Sequence, residues 1–177
     1  MKKHWMIITV LVFIVCTVAL AQPKPRVLPS NYPKPTYTPR PALPVHPVYR
    51  LGLSPIQIVA LTLLGEARGE GAVGMHAVLA VIQQRAINRK LQPHQVCLQR
   101  KQFSCWNNGR IPVPPAMLWA SNEGKVAMQL ASLAPPLINR KFTGFADHYH
   151  AIGVRPYWIK GKLPVARIGR HLFYKLR

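Results

Sequence analysis

The chain has 177 residues, of which 24 are Lys or Arg and only 4 are Asp or Glu, so its formal net charge is +20. This length allows one compact domain but hardly two. The charge favours anionic partners such as nucleic acid, anionic lipid or anionic cell-wall polymer, and it indicates nothing about the fold. Any chemistry that needs a carboxylate depends on four residues: Glu66, Glu70, Glu123 and Asp147.

The N-terminus has the pattern of an export signal. Lys2 and Lys3 precede an almost unbroken apolar run over residues 5–21, which ends in the small-x-small sequence Ala19-Leu20-Ala21. The run is long for a signal peptide and slightly short for a membrane-spanning helix. Residues 1–21 are therefore predicted to be either a cleaved signal peptide or a retained membrane anchor. In both cases we expect an exported protein, periplasmic or tethered to the inner membrane and facing the cell wall.

A basic linker is predicted over residues 22–52. Nine prolines lie between positions 22 and 47, with basic residues among them and no acidic residue. Such a composition favours extended polyproline II structure and cannot bury a core. The folded domain is therefore expected over residues 53–177.

The first helix of this domain is predicted to begin after Ser54. Serine can cap a helix, Pro55 suits its first turn, and Gln57 occupies the capping-box position. Gly69 and Gly71 are expected to end it. Its apolar positions share one helical face: Ile56, Val59, Ala60, Leu63 and Ala67.

Later segments predict a change from helices to short strands. Residues 73–89 form a second helix, expected to be buried because residues 77–82 are apolar almost all round. Residues 91–114 are expected to be irregular, and residues 115–133 helical with a break near Asn122-Glu123-Gly124. Residues 142–152 and 171–174 have strand-like patterns. Helices followed by a small strand region give an α+β domain.

Glu66 is the most informative acidic residue. At about 100° per residue it lies at the edge of the apolar face of the first helix, beside Thr62 and Leu63. Partial desolvation there, with the nearby helix C-terminus, favours the protonated carboxyl that a general acid needs. The alternative is a solvated glutamate paired with a neighbouring arginine such as Arg68 or Arg85.

The remaining candidate residues are less sharply indicated. Asp147 lies in a polar-aromatic segment and is a candidate second active-site group, whereas Glu70 is expected in a turn. His148 and His150 share one face of a strand, but a zinc site would need a third ligand that the sequence does not supply. Aromatic and amide residues are candidates for sugar-stacking walls of a groove: Trp106, Asn107, Tyr157 and Trp158.

Cys97 and Cys105 are the cysteines outside the export signal. Two cysteines in an exported protein suggest a disulfide, because the compartment is oxidising. The alternative is a pair of free buried thiols.

Four motifs together resemble the SleB-type cell-wall hydrolase family, the spore-cortex-lytic enzymes and their relatives. They are Leu64–Glu70 (LGEARGE), Gln102–Asn107 (QFSCWN), His148–Ala151 (HYHA) and Ile168–Tyr174 (IGRHLFY). The resemblance covers about residues 54–176 with the motifs in order. The family often carries a separate peptidoglycan-binding domain, for which the basic charge and linker are a candidate substitute.

The resemblance implies a lysozyme-like or lytic-transglycosylase-like, mainly helical domain that acts on peptidoglycan. The first glutamate of the family motif, here Glu66, is implied to be catalytic. The hypothesis is cleavage of the MurNAc–GlcNAc β-1,4 bond. With one clear carboxylate, the resemblance favours a transglycosylase route in which an oxygen of the substrate itself is the nucleophile, leaving a 1,6-anhydro end. Candidate residues for orienting the sugar are Glu70, Ser104, Asp147, Tyr149 and His150.

We expect no metal or organic cofactor, peptidoglycan as the partner, and membrane anchoring, if any, through residues 5–21. Two other functions stay open. An amidase that cuts the stem peptide from the sugar would normally need a zinc site. A non-enzymatic basic protein would bind the wall or nucleic acid by charge alone, although the export signal argues against nucleic acid.

Overall fold

The computed structural model describes residue 48, residues 51–109 and residues 111–177. The predicted signal or anchor segment and most of the predicted linker lie outside these residues. Val48, which falls within the predicted linker, is buried in the main core. In the described part of the chain, no helix combines the length and the apolar character needed to cross a membrane.

Among the described residues, five helices precede a small antiparallel sheet. The helices are α1 (Pro55–Ala67), α2 (Gly71–Arg89), α3 (Pro93–Cys97), α4 (Met117–Ala120) and α5 (Asn122–Ala131). The strands are β1 (His148–Ala151), β2 (Ala166–Ile168) and β3 (His171–Tyr174). Short 3₁₀ turns cover Arg68–Glu70, Ser104–Gly109, Pro135–Leu137, Arg140–Thr143 and Tyr157–Ile159. The predicted α+β class, mainly helical with a small strand region, is confirmed.

Helix α1 begins where the capping pattern places it. The backbone N–H of Gln57 donates to Ser54 Oγ at 3.3 Å, and the backbone N–H of Ser54 donates to Gln57 Oε1 at 2.7 Å. The helix is buried on nearly all sides rather than on one face, because it packs against α2, α3 and α5. Ile56, expected on the buried face, is instead exposed.

Helix α2 lies between the other helices and the sheet. Gly71 begins it with a φ of 65°, a left-handed conformation that glycine adopts without strain. Val78 and Ile82 join the main helical core, whereas Ala77 and Val81 pack against the sheet. The predicted central position of this helix is therefore confirmed, and α2 connects the two cores of the domain.

Two helical predictions differ from the structure. The region expected to be irregular contains α3, which begins with a capping box between Gln92 and Gln95. The helix expected over residues 115–133 is divided at Ser121, whose extended backbone separates α4 from α5 and whose hydroxyl accepts from Gly124 N at 2.9 Å. In both cases a side-chain cap starts a new helix.

The sheet has the order β1-β3-β2, with both pairs antiparallel. The strand expected over residues 142–152 is present only in its second half, as β1. The prediction is wrong for the first part of this range, because residues 140–143 form a 3₁₀ turn and Phe145 has a φ of 57°. Strand β2, which the sequence did not predict, covers the other edge of β3.

We predict that Gly124→Ala destabilises the domain. A Cβ atom at this buried position would lie 1.9 Å from the Met117 carbonyl oxygen and 2.8 Å from Leu118 Cα, so the backbones of α4 and α5 would have to separate. The expected loss is about 1–3 kcal/mol, as for other overpacked cores. Thermal unfolding followed by circular dichroism measures it. Gly69→Ala is the control, since a Cβ there meets nothing within 4 Å; equal melting temperatures for the two variants would contradict the prediction.

Candidate active site

The Glu66 carboxylate is held by three hydrogen bonds from two other parts of the chain. Oε1 accepts from Cys105 N at 3.0 Å and from Ser104 Oγ at 3.2 Å. Oε2 accepts from the Tyr149 hydroxyl at 2.9 Å. Ser104 and Tyr149, both predicted to orient the sugar, thus contact the side chain of Glu66 directly. The carboxylate itself is half-buried at the C-terminal end of α1.

The backbone donor to Oε1 and the tyrosine donor to Oε2 differ in whether they can also accept a hydrogen bond. A backbone N–H can only donate, so Oε1 remains an acceptor in either protonation state of Glu66. A tyrosine hydroxyl can both donate and accept. When Glu66 is protonated, Oε2 beside Tyr149 is therefore the oxygen suited to carry the proton.

The segment with Ser104 and Cys105 is fixed against α1 by packing and one buried hydrogen bond. Phe103 and Trp106 are buried in the main core, and Trp106 Nε1 donates to Thr62 Oγ1 at 2.8 Å, one helical turn before Glu66. Gly65 permits the close approach, because a Cβ there would lie 2.7 Å from Cys105 Cβ. Glycine directly before Glu66 thus lets the Cys105 amide reach the carboxylate.

Tyr149 reaches Glu66 from the middle of β1. Its ring stacks on Phe173 with centroids 5.6 Å apart and meets the edge of His171 at 5.2 Å. Burial, followed by the nearby charge of Glu66, raises the pKa of the Tyr149 hydroxyl well above 10. The phenol is therefore neutral at any physiological pH and available as a hydrogen-bond donor.

An open cleft of about 270 Å³ lies beside Glu66, between the end of α1 and the sheet. Glu70, predicted to lie in the turn and to be a substrate-orienting residue, lines this cleft, and its Oε2 accepts from Arg170 N at 3.0 Å. That bond holds the turn between β2 and β3 against the α1–α2 connection. The lining residues are Gly65, Glu66, Ala67, Arg68, Gly69, Glu70, Ala151, Arg170 and His171.

His171 is a cleft residue that the sequence reasoning did not select. Its Nδ1 is buried and has no hydrogen-bond partner among the described residues. Burial lowers the pKa of the imidazole from 6.5, while the carboxylates of Glu70 and Glu66 act in the opposite direction. The usable signal was strand alternation, because positions 171 and 173 share one face of β3 and Phe173 is buried against Tyr149.

Two other predicted orienting residues lie away from Glu66. His150 is on the opposite face of β1 from Tyr149, where Nε2 bonds the Tyr174 hydroxyl at 3.1 Å and the ring contacts Trp158. Asp147 is buried just before β1, and its Oδ1 accepts from Leu176 N at 2.9 Å. For His150, strand alternation accounts for this separation, since neighbouring side chains point to opposite faces; Asp147 lies before β1, and its carboxylate is bound instead to the C-terminal segment at Leu176.

The four predicted wall residues are not among those that line this cleft. Trp106 is a core residue, only 4% exposed, because its indole is bound to α1 as described above. Trp158 packs against His148, His150 and Tyr174 on the far face of the sheet. Asn107 and Tyr157 are exposed, Tyr157 by 93%. The structure thus places the aromatic residues of the motifs mainly in the supporting core.

Cys97 and Cys105 are both free thiols in this structure, so the predicted disulfide is not formed here. Cys97 is fully buried on α3, and burial raises its pKa to about 12; burial, with Glu66 as the next cause, also raises the pKa of Cys105. Raised pKa values keep thiols in the unreactive protonated form. The oxidised state in an exported protein stays a prediction.

Comparison with protein families matches residues 69–174 to a model described as cell wall hydrolase. The chain belongs to this family. The expected resemblance is thereby confirmed, and the protein is an enzyme of the cell-wall hydrolase type. Glu66 lies just before the matched residues, whereas Ser104, Cys105, Tyr149 and His171 lie within them. No curated protein is significantly similar to the hydrolase.

Two solved structures are similar to this cell wall hydrolase. The catalytic domain of the germination-specific lytic transglycosylase SleB from Bacillus anthracis is 28% identical with a TM-score of 0.52, and the match covers 70% of this chain and 98% of that one. The catalytic domain of the Bacillus cereus SleB protein is 27% identical with a TM-score of 0.51, covering 68% and 89%.

We predict that His171 titrates below pH 6.5 in the folded hydrolase, because burial disfavours the imidazolium. Nuclear magnetic resonance of the histidine rings, assigned with His171→Gln, measures the midpoint. Glu70→Gln should lower this midpoint further, since it removes the carboxylate that most favours protonation. A depressed pKa also means that the stability linked to His171 is present above pH 6.5 and is lost as the pH falls through the folded-state value. A titration midpoint above pH 6.5 would contradict this prediction.

Proposed function

We propose that the hydrolase cleaves the MurNAc–GlcNAc β-1,4 bond of peptidoglycan as a lytic transglycosylase, with Glu66 as the general acid and base. The observation that carries the proposal is a half-buried carboxylate that faces an open cleft and is oriented by three hydrogen-bond donors. The similarity to a protein described as a lytic transglycosylase supports this reaction type.

The proposed reaction needs one carboxyl group. Glu66, protonated on Oε2, gives its proton to the glycosidic oxygen as the bond from that oxygen to C1 of MurNAc breaks. The 6-hydroxyl oxygen of the same MurNAc then bonds to C1, and its proton passes to Glu66. The carboxyl group is restored, no water is consumed, and the product carries a 1,6-anhydro end.

The residues around Glu66 have distinct roles in this scheme. Cys105 N–H and Ser104 keep Oε1 in place, so that Oε2 is directed to the scissile bond. Tyr149 follows Oε2 through both states by donating to the carboxylate and accepting from the acid. In this scheme the imidazole of His171, which lines the cleft, hydrogen-bonds sugar hydroxyl or acetamido groups.

Two exposed arginines at the cleft suit an anionic substrate. Arg68 and Arg170, both exposed, line the cleft next to Glu66. Peptidoglycan carries carboxylates on its stem peptides, which such side chains attract through the solvent. Because this substrate lies outside the cytoplasm, we propose that the chain is exported through residues 1–21.

We predict that Glu66→Gln folds normally and loses wall-digesting activity by about 10²–10⁴-fold, the range typical of general acid–base catalysis. The substitution preserves shape and an acceptor oxygen but removes the titrating proton. Release of soluble fragments from purified sacculi by the full-length chain measures the loss. Glu70→Gln is the matched control in the same cleft and should retain most activity; a larger loss for Glu70→Gln would transfer the acid role to Glu70.

Mass spectrometry of the released fragments tests the type of reaction. The transglycosylase reaction leaves 1,6-anhydro ends that are one water molecule lighter than reducing ends. Reducing MurNAc ends would instead indicate a hydrolytic muramidase, and free stem peptides would indicate an amidase. Either result would overturn the proposed reaction.

A further inference from the structure

Arg85 has an unusual environment for a charged side chain. It lies on α2, is only 6% exposed, and its guanidinium carbon is 5.0 Å from the centre of the Phe103 ring. Nε donates to the Asp147 carbonyl at 2.6 Å and Nη1 donates to the Gln102 carbonyl at 3.2 Å. Burial lowers the pKa of the guanidinium from its usual value. A cation buried at such cost requires a compensating role.

The two carbonyls that accept from Arg85 belong to the two segments that supply the donors to Glu66. Gln102 precedes Ser104 by two positions and Cys105 by three, and Asp147 precedes Tyr149 by two. These segments lie 17 and 62 positions from Arg85 in the sequence. One guanidinium therefore links the two segments that hold the Glu66 carboxylate. Among the described hydrogen bonds, none joins Arg85 to Glu66 itself.

We propose that Arg85 is a positioning residue of the active site, which sets the spacing between the Ser104–Cys105 segment and Tyr149 and so orients the Glu66 carboxylate. This inference rests on the proposed function of Glu66. A planar guanidinium presents its donors in a fixed fork, so the two carbonyls cannot shift independently. A flexible ammonium would reach one of them at a time.

Without Arg85, the groups that donate to the Glu66 carboxylate are expected to be held less firmly in position. A displacement of about 1 Å at a catalytic group can lower a rate by about 10²-fold. Since Arg85 does not line the cleft, substrate affinity should change less than the rate of the chemical step. A structural defect alone would lower the melting temperature without this separation of kcat from KM.

Arg89→Met is a matched control for Arg85→Met. Arg89 lies one helical turn further along α2, and its Nη1 bonds the side chain of Gln99 rather than a carbonyl of either donor segment. Both changes remove one guanidinium from the same helix.

The experiment measures melting temperature, kcat, KM and the pH dependence of kcat for full-length variants on soluble glycan chains, well below the melting transition. Arg85→Met is expected to lower kcat about 10–100-fold with a smaller change in KM and a shifted pH profile, and Arg85→Lys to recover part of kcat. Arg89→Met should keep the native kcat and profile. An unchanged kcat in folded Arg85→Met, or equal kinetic effects at both arginines, would overturn the proposal.

A double-mutant cycle keeps the proposal testable if Arg85→Met does not fold. Tyr149→Phe removes one donor to Glu66, and Arg85→Lys disturbs the position of that donor. If Arg85 acts through this contact, the two losses in kcat combine to less than their product. Independent losses would show that Arg85 does not act through Tyr149. An active Glu66→Gln would instead refute the proposed function itself, so the two failures are distinguishable.

Discussion

The Glu66 carboxylate is the point at which three separate parts of the chain meet. Helix α1 carries it, the Ser104–Cys105 segment binds one oxygen, and β1 binds the other through Tyr149. Each contact depends on a different packing arrangement: glycine at position 65, Trp106 in the helical core, and Phe173 on β3 stacked against Tyr149. The fold is therefore organised so that the helical core and the sheet both have to be complete before the carboxylate has its three donors.

The part of the site that local sequence patterns could predict is the position of Glu66 on α1. The capping box at Ser54 and Gln57 determined the start of α1, and helical periodicity then placed Glu66 at a partly buried edge. The selection of Ser104 and Tyr149 depended on the family motifs, because their contacts with Glu66 join residues 38 and 83 positions apart. No local rule gives such distances.

The parts that were missed depend on which face of an element a residue occupies. Tyr149 and His150 were both predicted to orient the sugar, yet alternation sends Tyr149 to Glu66 and His150 to Tyr174 on the other face. Trp106 was assigned to the groove by residue type, whereas its indole N–H has a buried partner on α1. His171 was not selected from the sequence because it lines a cleft between β3 and the α1–α2 connection, and this cleft exists only in the tertiary structure.

The few acidic residues explain how so basic a domain keeps a defined site. Of the four, Glu66 and Glu70 line the cleft and Asp147 is buried, so nearly all the negative charge is used in contacts that join elements. The positive charges are left largely without carboxylate partners; within the described residues, the ion pair found is His148 with Asp147. Exposed positive charges of this kind attract an anionic polymer. At physiological salt their field is largely screened beyond a Debye length of about 8 Å. In the proposed reaction, attraction to the wall and orientation at the scissile bond thus depend on different groups. The exposed bases would bring the substrate near, and the uncharged donors around Glu66 would determine where the proton is delivered.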